Sequence, residues 1–314
     1  MQQNHFRPDF STGIRTLCGQ FGKTRQAYYQ QQWQQGKNAL QDELVVQQVV
    51  QLREQLPGVG TGKIQHMLSG FLAEHHVKLG RDKLYDLLRA HHLLRYKRRK
   101  RAKTTNSQHP FYKYENLVKD FTATGSNQLW VSDITYIRTG NDFSYLSLVT
   151  DTYSHQIMGW ALEPTLHTKG PLSALQMAIK FKGKGKKDLI HHSDRGLQYC
   201  CQHYVKLLCS KDIRISMTEQ GNPGENPIAE RINGTIKEEF NCRAFLTFEQ
   251  AKAGIAKAIQ AYNNLRPHAS CDYLTPAQAH HQEGPLRKRW RKAERKVPVN
   301  QMQRTEMTNR ILSL

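Results

Sequence analysis

The chain has 314 residues, 38% of them hydrophobic, and a formal net charge of +20, which is length enough for two or three domains that each bury a core. No stretch of about 18 apolar residues occurs, which excludes an apolar spanning helix; the start, Met1-Gln2-Gln3-Asn4-His5-Phe6-Arg7, has no apolar signal core, so a cytoplasmic protein is expected. The charge is clustered, with seven basic residues in the nine from 95 to 103 and a second group from 287 to 296 around Trp290, a pattern that favours a polyanionic partner over an evenly solvated surface.

In chain order, residues 9 to 35 read as a helix-turn-helix. Ile14, Leu17, Cys18 and Phe21 form a helical stripe, Gly22 breaks it, and Thr24 caps a second helix through Gln34. Arg25 and Gln26 then face a DNA groove, unless the unit is a helical hairpin whose Tyr28 and Tyr29 merely pack. A polar connector over residues 35 to 40 ends this first segment. Helices follow over 42 to 56 (Leu44, Val45, Val49, Leu52), ended by Pro57-Gly58, over 63 to 74 (Ile64, Met67, Leu68, Phe71, Leu72), and from about 81 to 92 (Leu84, Leu87, Leu88). They make a small bundle over 41 to 94, for DNA binding or for structure and dimerisation.

Residues 95 to 124 read as a basic linker whose Lys97, Arg98, Arg99, Lys100 and Arg101 are candidate phosphate contacts. Phe111, Tyr112 and Tyr114 interleave there with Lys113 and Lys119, for docking on DNA or on the core. Three strands are expected at 129 to 138, 143 to 151 and 155 to 162, joined as antiparallel hairpins. A helix near 170 to 181, a Gly/Lys-rich turn, a strand at 188 to 193, a helix at 199 to 210 and an edge strand at 213 to 217 complete the pattern. The loop from 218 to 224 is expected to order only with DNA. Asn226-Pro227 opens a helix with Ile228, Ile232, Thr235 and Ile236 on its apolar stripe, and Thr247 with Gln250 opens another over 248 to 264 as a capping box. Residues 284 to 314 form a basic tail that ends in a short amphipathic piece.

Three carboxylates stand out. Asp133 lies inside the strand Leu129-Trp130-Val131-Ser132-Asp133-Ile134-Thr135-Tyr136-Ile137, Asp194 closes the strand before Arg195-Gly196, and Glu230 sits on the helix after Asn226-Pro227, 35 residues beyond the second Asp. Each alone reads as an ordinary surface or strand-end acid. Together they suit a pair of Mg²⁺ or Mn²⁺ ions, hard cations that take oxygen ligands and serve in-line phosphoryl transfer. Lys237, seven residues after Glu230 and on its helix face, is either a phosphate contact or a solvated lysine. Arg266 and His268, at a helix end, either bind phosphate or cap the helix. The six cysteines form no CxxC pair and are expected as reduced, mostly buried thiols. A zinc site from His191, His192, Cys200, Cys201 and His203 is disfavoured, because adjacent histidines on a strand point to opposite faces.

The blocks Trp130-Val131-Ser132-Asp133-Ile134-Thr135-Tyr136, His192-Ser193-Asp194-Arg195-Gly196-Leu197-Gln198-Tyr199 and Gly221-Asn222-Pro223-Gly224-Glu225-Asn226-Pro227-Ile228-Ala229-Glu230-Arg231 resemble the Asp-Asp-Glu core of insertion-sequence transposases of the IS-three family, a core shared with retroviral integrases. Ala261-Tyr262-Asn263-Asn264-Leu265-Arg266-Pro267-His268 and Leu274-Thr275-Pro276-Ala277 resemble the family's segment after the core. Pro227, where the family more often has a small apolar residue, and Cys271, near a usual leucine, depart from the pattern.

The resemblance implies an α/β fold, a ribonuclease-H-like integrase core over 125 to 283 preceded by helical helix-turn-helix DNA-binding domains, with the segment from Gly80 and Arg81 matching the family's second such unit. It implies Asp133, Asp194 and Glu230 as catalytic metal ligands for two Mg²⁺ or Mn²⁺ ions. DNA contacts are expected at Arg25, Gln26, Arg81, Arg195, Lys237 and Arg266 besides the basic run. The implied activity is cleavage and strand transfer at the terminal inverted repeats of the element, by at least a dimer on DNA acting at the bacterial nucleoid. An upstream-frame partner or fusion is also implied. A DNA-binding regulator with a silent core and a structure-selective nuclease are the competing readings.

Overall fold

The computed structural model describes residues 14–95, 111–183, 188–219 and 225–290. The basic run from Lys97 through Arg98, Arg99, Lys100 and Arg101, the loop glycines Gly221 and Gly224, and the tail after residue 290 lie outside the described residues.

Helix α1 (Ile14–Gln20) turns at Gly22, whose φ of 64° suits a residue without a Cβ, into α2 (Arg25–Gln55). The Thr24 hydroxyl accepts from the Ala27 amide at 3.1 Å, the expected cap. The expected connector at 35 to 40 is instead helical, so α2 runs unbroken for 31 residues and passes through position 40. The glutamine-rich stretch contains no proline, and one glycine, Gly36, costs only about 1 kcal/mol in a helix. The expected first stripe is also corrected: Cys18 is buried, but Ile14, Leu17 and Phe21 are exposed, as are Tyr29 and Trp33.

Only the second half of α2 joins a core. Val45 and Val49 pack with Leu56 at the end of α2 and with Ile64, Leu72, Leu84 and Leu88 from α3 (Thr61–Met67), α4 (Ser69–Glu74) and α5 (Arg81–Ala90). The single helix expected over 63 to 74 is divided at Leu68.

The second unit is built on a six-stranded mixed sheet. Strands β1 (Leu129–Thr139), β2 (Asp142–Asp151) and β3 (Ile157–Glu163) form the expected antiparallel hairpins. β4 (Ile190–Ser193) lies parallel to β1, and β5 (Arg214–Met217) parallel to β4, giving the order β3-β2-β1-β4-β5. The crossovers are α6 (Lys169–Lys182) and then α7 (Leu197–Cys200) with α8 (Gln202–Cys209). One helix was expected over 199 to 210; Cys201 breaks it in an extended conformation, ψ 147°. A two-residue strand, β6 (Ala244–Phe245), pairs with the far end of β1 and was too short for a sequence pattern to reveal.

Alternation along β1 sends side chains to two cores. Trp130 packs with Val149, Met158 and the α6 and α8 residues Ala174, Leu175, Tyr204 and Leu208. Ile137 packs on the other side with Leu146 and Leu162, against α9 (Pro227–Glu239) and α10 (Phe248–Asn264) through Ile232, Ile236, Ile255 and Tyr262. The described part of the linker docks on the sheet edge: the Met217 amide donates to the Glu115 carbonyl at 3.3 Å and the Leu117 amide to the Ser216 hydroxyl at 2.9 Å. A short helix, α11 (Pro276–His280), follows with a complete capping box of Thr275 and Gln278.

Strand β3 and helix α6 touch backbone to backbone at Gly159, where a Cβ would fall 2.0 Å from the Ala174 carbonyl oxygen. Gly159→Ala is therefore expected to destabilise the sheet unit by about 1–3 kcal/mol, the usual range for overpacking, read as a lower urea midpoint at unchanged slope.

Candidate active site

The parallel pairing of β1 with β4 sets the two aspartates level. Trp130 is opposite His191 and Val131 opposite His192, so Asp133 and Asp194 each come two residues after the same pair, Asp133 within β1 and Asp194 just past the end of β4, on neighbouring strand paths about 4.8 Å apart. Asp194 lies just past β4, where its Oδ1 accepts from the Gly196 amide at 3.0 Å. A Cβ at Gly196 would stand 2.9 Å from that oxygen, so the turn is shaped around the carboxylate. Both aspartates are half-buried.

Glu230 enters from α9, which lies along β1. The Asn226 amide donates to the Ser132 carbonyl at 3.1 Å, the Asn233 amide to Asp133 Oδ2 at 2.8 Å, and Lys237 Nζ to the Thr135 hydroxyl at 2.9 Å. Residues 226, 230, 233 and 237 share one helix face by their spacing, so Glu230 sits on the face that these three bonds turn toward β1. It is in the first helical turn, where the helix dipole favours a carboxylate. Lys237 is thus tied to the strand; burial pushes its pKa down, aided by Arg243 and opposed by Asp133.

The surroundings are buried and polar. His191 Nε2 lies 2.7 Å from the Ser132 hydroxyl and 3.0 Å from the Tyr204 hydroxyl, and His192 Nδ1 lies 2.9 Å from the Ser216 hydroxyl. Burial lowers His191 to about 3 and His192 to about 4, which keeps both neutral. Tyr199, fully buried behind them, is raised well above the ordinary phenol value by burial, then by Tyr204 and the charges of both Asp133 and Asp194.

Among the described residues, no three His, Cys, Asp or Glu side chains are gathered closely enough to hold a metal as they stand. The donor chemistry suits a hard cation, since Asp133, Asp194 and Glu230 offer oxygen only. The sequence shows Asn226 only as the start of a helix and gives Asn233 no role, although their spacing from Glu230 and Lys237, four, three and four residues, was the available signal.

Two integrase core domain families match overlapping spans, residues 123–223 and 211–276; the first span holds Asp133 and Asp194, the second Glu230. An uncharacterized 31 kDa protein of insertion element IS600 from Shigella sonnei is 32% identical over 272 residues, 83% of this chain and 96% of that one. The InsF transposase of insertion sequence IS3A from Escherichia coli K12 is 36% identical over 167 residues, 52% of this chain. The chain belongs to the insertion-sequence transposases of the IS-three family. Its match spans 58% of the length of InsF. The sheet is accordingly the ribonuclease-H-like integrase core. Solved structures that resemble it include the HTLV-2 integrase catalytic core with magnesium, 23% identical over 51% of this chain and all of that one, TM-score 0.42. The simian T-cell lymphotropic virus intasome is 18% identical over 76% of this chain and 77% of that one, TM-score 0.45. No helix among the described residues is long and apolar enough to cross a membrane.

The expected DNA contacts of this transposase-family chain are dispersed. Arg25 and Gln26 open α2 and line a shallow groove with Tyr29, Gln30 and Trp33. Arg81 is the exposed first residue of α5, paired with Asp82 at 3.1 Å. Arg195 is half-buried directly after Asp194. Arg266 is the correction: it is only 4% exposed, its Nε and Nη2 donate to Glu239 at 2.8 and 2.9 Å, and its Nη1 donates to His268 Nε2 at 2.7 Å. With its donors spent internally and its plane over Tyr262, the guanidinium is a structural tie rather than a DNA contact. His268 is likewise committed as its acceptor.

Arg266→Ala leaves Glu239 without its bidentate partner. A loss of about 3–5 kcal/mol is expected, as for other broken buried pairs, measured by chemical denaturation. A pH effect follows from the buried histidines: burial lowers His155 and His192 to about 4 and His191 to about 3, against an ordinary value of 6.5. Below pH 6.5 the unfolded chain takes up protons that the folded chain refuses, so stability falls as pH drops from about 6.5 toward 4. Urea midpoints across that window should decline with His191→Gln flatter than wild type.

Proposed function

We propose that this chain is a DNA transposase that binds the terminal inverted repeats of its element, exposes a 3′-hydroxyl and joins it to another phosphodiester, with Asp133, Asp194 and Glu230 as the catalytic metal ligands. The observation that carries the reading is the level register of Asp133 and Asp194 on parallel strands, with Glu230 on the helix face turned to the same strand.

When bound, Mg²⁺ or Mn²⁺ held by Asp133, Asp194 and Glu230 would supply activation of the attacking oxygen and stabilisation of the departing one. The chain's own part is to hold three negative charges on elements that cannot shift independently, two on hydrogen-bonded strands and one on a helix keyed to the first of them. Lys237 positions a positive charge on the same face, suited to a phosphate oxygen. In this reading Arg25 and Gln26 read the repeat, Arg81, Arg195 and the run from Lys97 to Arg101 grip the backbone, and Arg266 drops out. Joining two ends in one event requires two sites, hence at least a dimer on DNA. An upstream-frame partner supplies further contacts in the bacterial cytoplasm and nucleoid. The intact acids weigh against a regulator with a silent core. Two preceding helical units weigh against a nuclease that reads only structure.

Asp133→Asn, Asp194→Asn and Glu230→Gln keep side-chain size and remove one charge each. All three are expected to reduce both cleavage and strand transfer of a pre-cleaved end to background, with retention of the terminal-repeat complex in a mobility-shift assay, and a double variant should lose little more. Strand transfer by the Glu230→Gln protein at ordinary Mg²⁺ would remove Glu230 from the ligand set.

A further inference from the structure

We infer that Asn233 is the positioning residue for the Asp133 carboxylate, holding it in the one orientation that a metal requires; the inference rests on the proposed reading of Asp133 as a ligand. Asn233 stands on α9 one turn beyond Glu230, is 5% exposed, and donates from Nδ2 to Asp133 Oδ2 at 2.8 Å. A carboxylate only accepts, so the amide nitrogen must face Asp133. The Asn233 carbonyl oxygen is thereby turned away, and it is buried with no hydrogen-bond partner.

The Asn226 carbonyl oxygen is buried without a partner as well, so what sets Asn233 apart is its acceptor, a carboxylate rather than a backbone carbonyl. Asn263 shows the locking arrangement in this same fold: its Oδ1 accepts from the Ile157 amide at 3.0 Å and its Nδ2 donates to the Ile157 carbonyl at 2.9 Å, so both ends are satisfied by backbone. Docking of α9 on β1 is moreover already provided by Asn226 on the Ser132 carbonyl and by the apolar contacts of Ile232 and Ile236. Asn233 adds a neutral donor to a single carboxylate oxygen. It restrains the rotation of Asp133 without neutralising the charge that a cation needs, as a lysine or arginine in its place would. Residues that orient a metal's ligands in this way typically change metal affinity about 10–100-fold when replaced.

The test uses the full chain and Mn²⁺ alone, counted by electron paramagnetic resonance of the free ion, beside metal-free thermal melting and duplex binding. Asn233→Leu keeps the branched shape, at a larger volume, and removes the donor; Asn233→Ala guards against a leucine that does not fit. The expected result is Mn²⁺ affinity about 10–100-fold weaker, with metal-free melting and DNA binding close to wild type. Asp133→Asn, run in parallel, separates the two readings. If it binds Mn²⁺ as wild type does, the ligand assignment of Asp133 fails. If it loses Mn²⁺ while both Asn233 variants keep it, the positioning inference alone is overturned. Loss of Mn²⁺ in step with loss of folded protein in both variants would make Asn233 structural and would also overturn the inference.

Discussion

Carboxylates that serve one site repel one another, so they can be drawn together only where the elements that carry them cannot slide apart. Here that constraint is the seam between α9 and β1. Its polar bonds, from Asn226, Asn233 and Lys237, all arise from one helix face, and Ile232 and Ile236 on the adjoining face enter the core beneath. A hydrogen bond to a charged group contributes about 1.5–3 kcal/mol net, and the Asn233 bond is of that kind. A slip of one residue along the helix would turn the face by about 100° and lose all three bonds together. The seam therefore fixes the register of Glu230 against Asp133, as the parallel ladder fixes Asp194 against it.

Much of this was legible in the residues, for reasons that differ by element. The hairpin strands carry strong period-two patterns and a tight turn, and β4 announces itself by apolar residues before a charged loop, so their places along the chain could be read. The three acids stand out by the sequence around them, but the level alignment of Asp133 and Asp194 depends on β1 and β4 pairing in parallel, which no local pattern encodes. The Asn226 and Asn233 contacts were hidden because asparagine on a helix reads as a solvent-facing residue unless the strand beneath it is known.

The misreadings share a cause. Residues 35 to 40 look like a connector because they are mostly polar and hold Gly36, yet polarity does not end a helix; a proline, a positive φ or a competing cap does, and none occurs between Arg25 and Gln55. Leu17 and Phe21 looked like core because of their spacing, but spacing shows only that a face exists, not that anything covers it. Arg266, at a helix end, reads from the sequence as a phosphate contact or a cap, and neither reading names an internal partner. Its partner, Glu239, lies 27 residues earlier in the chain, and only the packing of α9 against α10 brings them together.

That pairing gives α9 a second anchor. Glu230 lies in the first turn of the helix and Glu239 is its last residue, a separation of about 13 Å at 1.5 Å per residue. Burial raises the Glu239 carboxyl, but the hydrogen bonds and charge of Arg266, with Lys63 and Arg95, hold it below the ordinary range. Lys63 and Arg95 belong to the helical bundle and its exit. Arg95 reaches Glu239 at 3.4 Å, and a Cβ on Gly58 would come within 2.7 Å of the Glu239 backbone. Lys63, lowered to about 8 by burial and by the neighbouring arginines Arg266, Arg231 and Arg95, is kept charged chiefly by this same carboxylate. One residue thus joins the bundle, the helix after the core and the helix that carries Glu230. Because several cations share one buried anion, the joint has no spare charge with which to accommodate a shift of the bundle. A displacement there must either break the Glu239 contacts or be carried along α9 toward the carboxylates, and the seam with β1 resists the second course.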